Sequence, residues 1–275
     1  MIVARLFRSS PLGGICAVFL LLLASVAVMA ERLAPHNPLT TNYAATRDAP
    51  FGRHVLGTDH LGRDVLSRII FGARVTLLVA ISSVLLGDTI GFLWGVASGY
   101  LGGRVDLISQ RMLDVLMSLP ALILALLLMA GLGAGLSTVI VAIAVTRVPL
   151  TTRVVRSMVL SVKELAYVEA AGALGASGAR VMVRHVAPQC VAPFLIITTG
   201  HLGAAIFIEA ALSFVGVGVP PPTPSWGNML GGVLAEAFKP PWWMVVFPGT
   251  AITVTILAVN LFGDALRDFL DPKLK

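Results

Sequence analysis

Long uncharged runs separated by short polar segments dominate the chain. A bilayer's hydrocarbon core takes about 20 apolar residues per helix, and the pattern predicts six such crossings. Residues 9–30 carry no charge, and residues 75–103 carry only Asp88. Residues 115–146 are uncharged for 32 positions, too long for one crossing, and the glycines at 131, 133 and 135 interrupt them. They divide into a third span entering from about Leu107, kinked or started at Pro120, and a fourth running past Arg147 to about Arg156. Residues 186–208 give the fifth span and 240–263 the sixth. Six crossings place both termini on one side.

The polar segments carry their own pattern. After Pro35, Asn37 and Pro38, the residues Val65, Leu66, Ile69, Ile70 and Val75 recur at helical spacing between Arg63, Arg68 and Arg74. This predicts an amphipathic helix at the membrane surface leading into the second span. The segment 219–239, with Pro220, Pro221, Pro222 and Pro224 ahead of Trp226, reads as a folded loop, and Trp242 and Trp243 as an interfacial anchor for the sixth span. The loop 158–187 holds small residues at helical spacing: Ala166, Ala170, Ala173 and Ser177 on one face, Ala171, Gly175 and Gly178 on another. A short helix here, with Glu164 and Glu169 at its start and Arg180 and Arg184 at its other end, fits a groove in another protein. An alanine-rich connector is the plainer alternative. The chain then divides into 1–30 (tail and first span), 31–74, a five-helix core 75–264 containing the loop 158–187, and a tail 265–275.

Composition agrees. Of 275 residues 57% are hydrophobic and 12% charged, against about 25% charged in soluble domains. The net charge of +6 comes without a basic run or zinc-finger spacing, so it implies no nucleic acid. With both termini inside, 13 of the 20 Lys and Arg fall in inner segments, among them Arg5, Arg8, Arg147, Lys273 and Lys275, and seven fall outside, among them Lys239. That bias favours cytoplasmic termini. Cys16 and Cys190 read as buried hydrophobes, and no metal site is expected. Val28-Met29-Ala30 also resembles a leader cleavage site; the length of the uncharged run favours an uncleaved anchor.

Asp88, His201 and Glu209 are the candidate pathway residues in or beside the spans. Asp88 reads either as a lining residue of a pathway or as a hydrogen bond between helices, with Ser82, Ser83 and Thr89 as candidate partners. His201 and Glu209 share roughly one face of the fifth span. Glu209 either meets a solute's amino group or, the plainer reading, solvates a helix end. No residue is expected to be catalytic. The four lysines, at 163, 239, 273 and 275, never follow a glycine, so the chain has no phosphate-cradling Gly-Lys-Ser/Thr loop. Any ATP hydrolysis belongs to another polypeptide.

The run Glu169-Ala170-Ala171, then Gly175 and Pro188, resembles the loop that defines permease subunits of bacterial ABC importers, with His185 and Ala187 departing from its Ile and Leu positions. Three further stretches, 54–68 around Gly57-Thr-Asp-His-Leu-Gly-Arg-Asp64, 209–230 and 260–272, resemble the C-type permeases of the dipeptide, oligopeptide and nickel group. The resemblance implies a six-helix, type I (MetI-like) importer permease in the bacterial inner membrane. It implies a coupling helix using Glu169, Ala170, Ala171, Gly175 and Pro188, and no cofactor of its own. It also implies a second permease chain, two ATP-binding subunits and an external binding protein as partners. Peptides are the expected solute, with nickel as the alternative. An ion-coupled secondary transporter would use Asp88 and Glu209 but leaves the 169–188 pattern unexplained. An intramembrane aspartyl enzyme built on Asp88 and Asp264 lacks the additional glycine of the Gly-x-Gly-Asp pattern.

Overall fold

The structure is a computed structural model that describes residues 10–236 and 240–270. The charges at Arg5, Arg8, Lys239, Lys273 and Lys275 that entered the orientation count lie outside the described residues, as do most of the expected tails.

Every long element is a helix. Helix α1 (Pro11–Val28) starts where the Ser10 hydroxyl accepts the Gly13 amide and Pro11 presets the first turn. It lies against α2 and α9. Helix α2 (Val65–Leu101) runs 37 residues, about 55 Å at 1.5 Å per residue. The surface helix and the second span expected separately are therefore one unbroken rod. Asp64 caps its start by accepting the Ser67 amide, Gly102 at φ 63° ends it, and no proline interrupts it.

The third crossing departs most from expectation. Helix α3 (Gly103–Met117) and helix α4 (Ala121–Leu132) meet at an 87° bend. Leu107 lies on α3, ahead of the bend. The physical cause is the charge on α3: Arg104, Asp106, Arg111 and Asp114 cannot lie across hydrocarbon, and Pro120 has no N–H with which to continue the helix. Alone, α4 covers about 18 Å, short of the roughly 30 Å hydrocarbon core. Asp106 takes a bidentate contact from Arg156 at 2.5 Å, and Asp114 pairs with Arg153. Both contacts tie α3 to α5.

Helix α5 (Leu136–Val162) continues six residues past Arg156. Helix α6 (Ala166–Ala173) is the short helix expected from the small residues. Helix α7 (Gly178–Phe214) starts eight residues before the expected fifth span and contains a π turn, Met182–Val186, immediately ahead of Pro188. The loop expected over 158–187 thus narrows to 163–177, and Arg180 and Arg184 stand on α7 instead of ending α6. Helix α8 (Trp226–Glu236) sits inside the proline-rich segment, too short to cross a membrane. Helix α9 (Trp242–Leu270) is the last crossing. By length and composition five helices can span, and six if the bent α3–α4 pair counts as one.

Helices α2 and α5 run parallel and close. A Cβ at Gly91 would lie 2.7 Å from the Thr151 Cβ, and one at Gly95 2.7 Å from the Thr152 carbonyl oxygen; Gly87 and Gly99 meet Ala144 and Val159 in the same register. Between helices in lipid there is little hydrophobic drive, so backbone approach over a small-residue stripe supplies the packing. The main core, including Val79, Val139, Ile143, Ile206 and Leu212, draws on α2, α5 and α7. A second cluster, Val96, Val155, Val159, Val168, Val181 and Val186, closes the end where α6 sits. The opposite end carries the folded segment 34–64, hereafter the lasso.

Candidate functional site

At the α6 end, only one face of the short helix is tied down. Val168 is 5% exposed and Ala171 packs beside it, whereas Glu169 and Ala170 face outward. Gly175 does not continue the helical stripe. It stands at φ 85° as the left-handed cap. The Ala176 amide donates to the Ala171 carbonyl at 3.1 Å and the Gly175 amide to that of Gly172 at 2.9 Å, the double bond of a Schellman ending. A residue with a Cβ is strained there, which gives this motif position its reason. Leu165, Tyr167 and Leu174 project around the free side, Leu174 at 89% exposure. Pro188 stands apart on α7, exposed and just beyond the π turn. Four of the five motif residues therefore form one unit, and the fifth belongs to the neighbouring helix.

In the middle of the bundle, Asp88 is fully buried on α2, about 20 Å from that helix's end. The Thr151 hydroxyl on α5 donates to it at 2.6 Å, and the His201 Nδ1 on α7 lies 3.0 Å from both of its oxygens. Ser82, Ser83 and Thr89 are not its partners; Ser83 spends its hydroxyl on the Val79 carbonyl. One turn before Thr151, on the same face of α5, Arg147 is 5% exposed and its Nε has no hydrogen-bond partner among the described residues. The orientation count takes Arg147 as an inner charge while the expected fourth span runs past it; it lies within α5. A guanidinium, a carboxylate and an imidazole on three neighbouring helices are costly in hydrocarbon, and such groups ordinarily mark a pathway or a moving contact.

Glu209 lies apart from that cluster. It is 0% exposed, accepting from the Thr76 hydroxyl at 3.1 Å and the Ser213 hydroxyl at 2.8 Å. Ser213 in turn accepts the Val219 amide. Glu209 therefore solvates no exposed helix end. It fastens α7 and the segment after it to α2, and Thr76 is three turns from Asp88. Of the three residues proposed to share a pathway, the fold brings Asp88 and His201 together and leaves Glu209 elsewhere.

The lasso is held by polar side chains. Asp59 receives the Arg63 guanidinium at 2.6 Å, with Arg68 at 3.6 Å, and Arg68 also reaches the Pro38 carbonyl. Asp64 accepts the Ser67 amide and hydroxyl on one oxygen and the His54 ring on the other. Burial works against its charge, but these donors outweigh it and hold the carboxyl below its usual range. Trp243 donates its indole N–H to the Thr58 carbonyl at 3.2 Å and Trp226 to that of Ile69 at 2.9 Å. Trp243 is thus a clasp for the lasso, while Trp242 is 53% exposed.

Apolar crossings, a buried charged cluster between them, and a short helix presented at one end are features of a membrane permease. The chain belongs to the family of binding-protein-dependent transport system inner membrane components, whose pattern it matches over residues 91–275. A di/tripeptide transport system permease protein of Pseudomonas aeruginosa is 40% identical over 274 residues, covering 98% of this chain and 89% of that protein. A glutathione transport system permease protein of Pectobacterium atrosepticum is 39% identical over 272 residues, covering 98% and 90%. Among solved structures, an inward-facing form of the MetNI methionine ABC transporter superposes with a TM-score of 0.63 at 18% identity, over 75% of this chain and 97% of that one. That likeness gives the fold.

Proposed function

We propose that this chain is one transmembrane subunit of an ATP-driven importer of short peptides in the bacterial inner membrane, with both termini and α6 on the cytoplasmic side. It pairs with a second, related permease chain to enclose the solute path. Two ATP-binding subunits supply the energy and an external binding protein delivers the solute. The observation that carries this reading is α6, tied down by Val168 and otherwise offering Glu169, Ala170, Leu165, Tyr167 and Leu174 to a partner. The relatives named for di/tripeptide and glutathione transport support short peptides as the solute.

The test is uptake of labelled dipeptide and glutathione into vesicles holding the assembled transporter. Uptake that needs ATP, and that is lost together with ATPase attachment in Leu174→Asp, supports the proposal. Uptake driven by an ion gradient without nucleotide overturns the energy source. Uptake of nickel but not peptide overturns the solute.

A further inference from the structure

We propose that His36, His54 and Asp64 form a binding site for a borderline divalent cation of the Zn2+ class at the lasso end of the bundle. One ligand atom from each residue lies within 4.8 Å of the other two. Asp64 Oδ1 is 2.9 Å from the His54 Nδ1 and 3.7 Å from the His36 Nδ1. A tetrahedral ion with bonds of about 2.0–2.2 Å spreads its ligand atoms roughly 3.4 Å apart, between those two separations.

The surroundings prepare this arrangement. Asp64 Oδ2 is occupied by the Ser67 amide at 2.8 Å and the Ser67 hydroxyl at 2.7 Å, which leaves Oδ1 turned toward both imidazoles. The same hydroxyl receives the His36 main-chain amide at 3.0 Å, so the backbone carrying His36 is pinned to the first turn of α2. The two rings lie tilted at 45° with centroids 4.8 Å apart. Such outer contacts are how proteins orient ligands before a metal arrives. The nearby guanidinium groups of Arg63 and Arg68 are engaged by Asp59.

Two imidazoles and one carboxylate suit zinc and its neighbours, and not Mg2+ or Ca2+, which prefer all-oxygen sets. His54 is buried, but the His36 side chain is 45% exposed and lines an open groove of about 590 Å³ with Asn37, Phe71 and Thr223. The groove gives an entry path and room for a water as the fourth ligand. A bound ion replaces the His54–Asp64 hydrogen bond with metal bonds and braces three segments together: residues 35–38, the loop 54–64 and the start of α2.

The experiment is calorimetric titration of Zn2+ into the assembled, chelator-stripped transporter, purified without a histidine tag. One equivalent per copy of this chain in the micromolar range or tighter is expected, with Mg2+ failing to compete. His36→Ala weakens binding at least about tenfold while leaving the metal-free thermal transition in place, because that side chain is half exposed. Asp64→Asn abolishes binding yet still caps α2, since asparagine is an equally good N-cap. Zn2+ also slows proteolysis within residues 34–64 in the wild type and not in either variant. Absence of stoichiometric binding, or unchanged affinity in His36→Ala, overturns the proposal.

Discussion

The His201 imidazole stands 3.0 Å from both carboxylate oxygens of Asp88, joining α7 to α2 in the middle of the bundle. Thr151 completes the junction from α5. Asp88→Ala leaves the hydroxyl and the imidazole without their acceptor, a loss of about 1–3 kcal/mol. The purified assembly is expected to melt earlier and to transport more slowly. Asp88→Asn keeps an acceptor for Thr151 and is the milder change; equal melting temperatures for Asp88→Ala and wild type would show that the junction carries no stability.

The α2–α5 seam predicts a sharp contrast between glycines. Gly91→Val drives a side chain into Thr151 and the Val148 carbonyl, separating the helices and abolishing accumulation of folded chain, read as fluorescence of a C-terminal fusion. Gly200 on α7 has nothing within 4 Å of its would-be Cβ, so Gly200→Ala raises stability by about 0.4–1 kcal/mol.

At the opposite extreme of burial, Gly175 is free of close neighbours but bound to a positive φ. Gly175→Val costs roughly 1–2 kcal/mol locally and displaces α6 without unfolding the bundle. Normal yield and melting temperature, combined with loss of peptide-stimulated ATP hydrolysis in the assembled transporter, is the expected pair of results.

Trp226 is 1% exposed and packs with Ala27 and Ala73 where α1, α2 and α8 meet. Trp226→Ala removes that contact and the bond to Ile69, a cost of about 3–5 kcal/mol. The first helix then becomes accessible to alkylation of an introduced cysteine at Ala27, which is protected in the parent. Equal labelling in both proteins would contradict the packing.

Apolar length made the crossings legible in the sequence, because a helix in lipid must satisfy its backbone internally. The breaks at Pro120 and at Gly131–Gly135 were legible for the same reason that they exist: a missing N–H and a missing Cβ. Where side chains pair across distant segments, sequence spacing gave no guide. Asp88 meets Thr151 and His201, 63 and 113 positions away, instead of its own serines. Glu209, at the edge of an apolar run, looks like a helix end until the fold wraps residues 215–225 over it. Arg147 was legible as a charge within a helix, because the apolar Val148 and Leu150 follow it and the expected fourth span runs past it. His36 and His54 carry no metal-ligand spacing at all, since the backbone contact at Ser67 brings them together.

Helix α2 begins at the Asp64 cap among the lasso histidines and reaches Val96 in the cluster that seats Val168. With no hinge along its length, and with α5 fused to it through the glycine seam, the pair behaves as one stiff strut. A tilt imposed at the lasso end cannot be absorbed midway and must reappear at the far extremity as a swing of the socket beneath α6. Compliance is left to places such as the elbow before Pro120 and the widened turn before Pro188, where the remaining helices can yield while the strut does not.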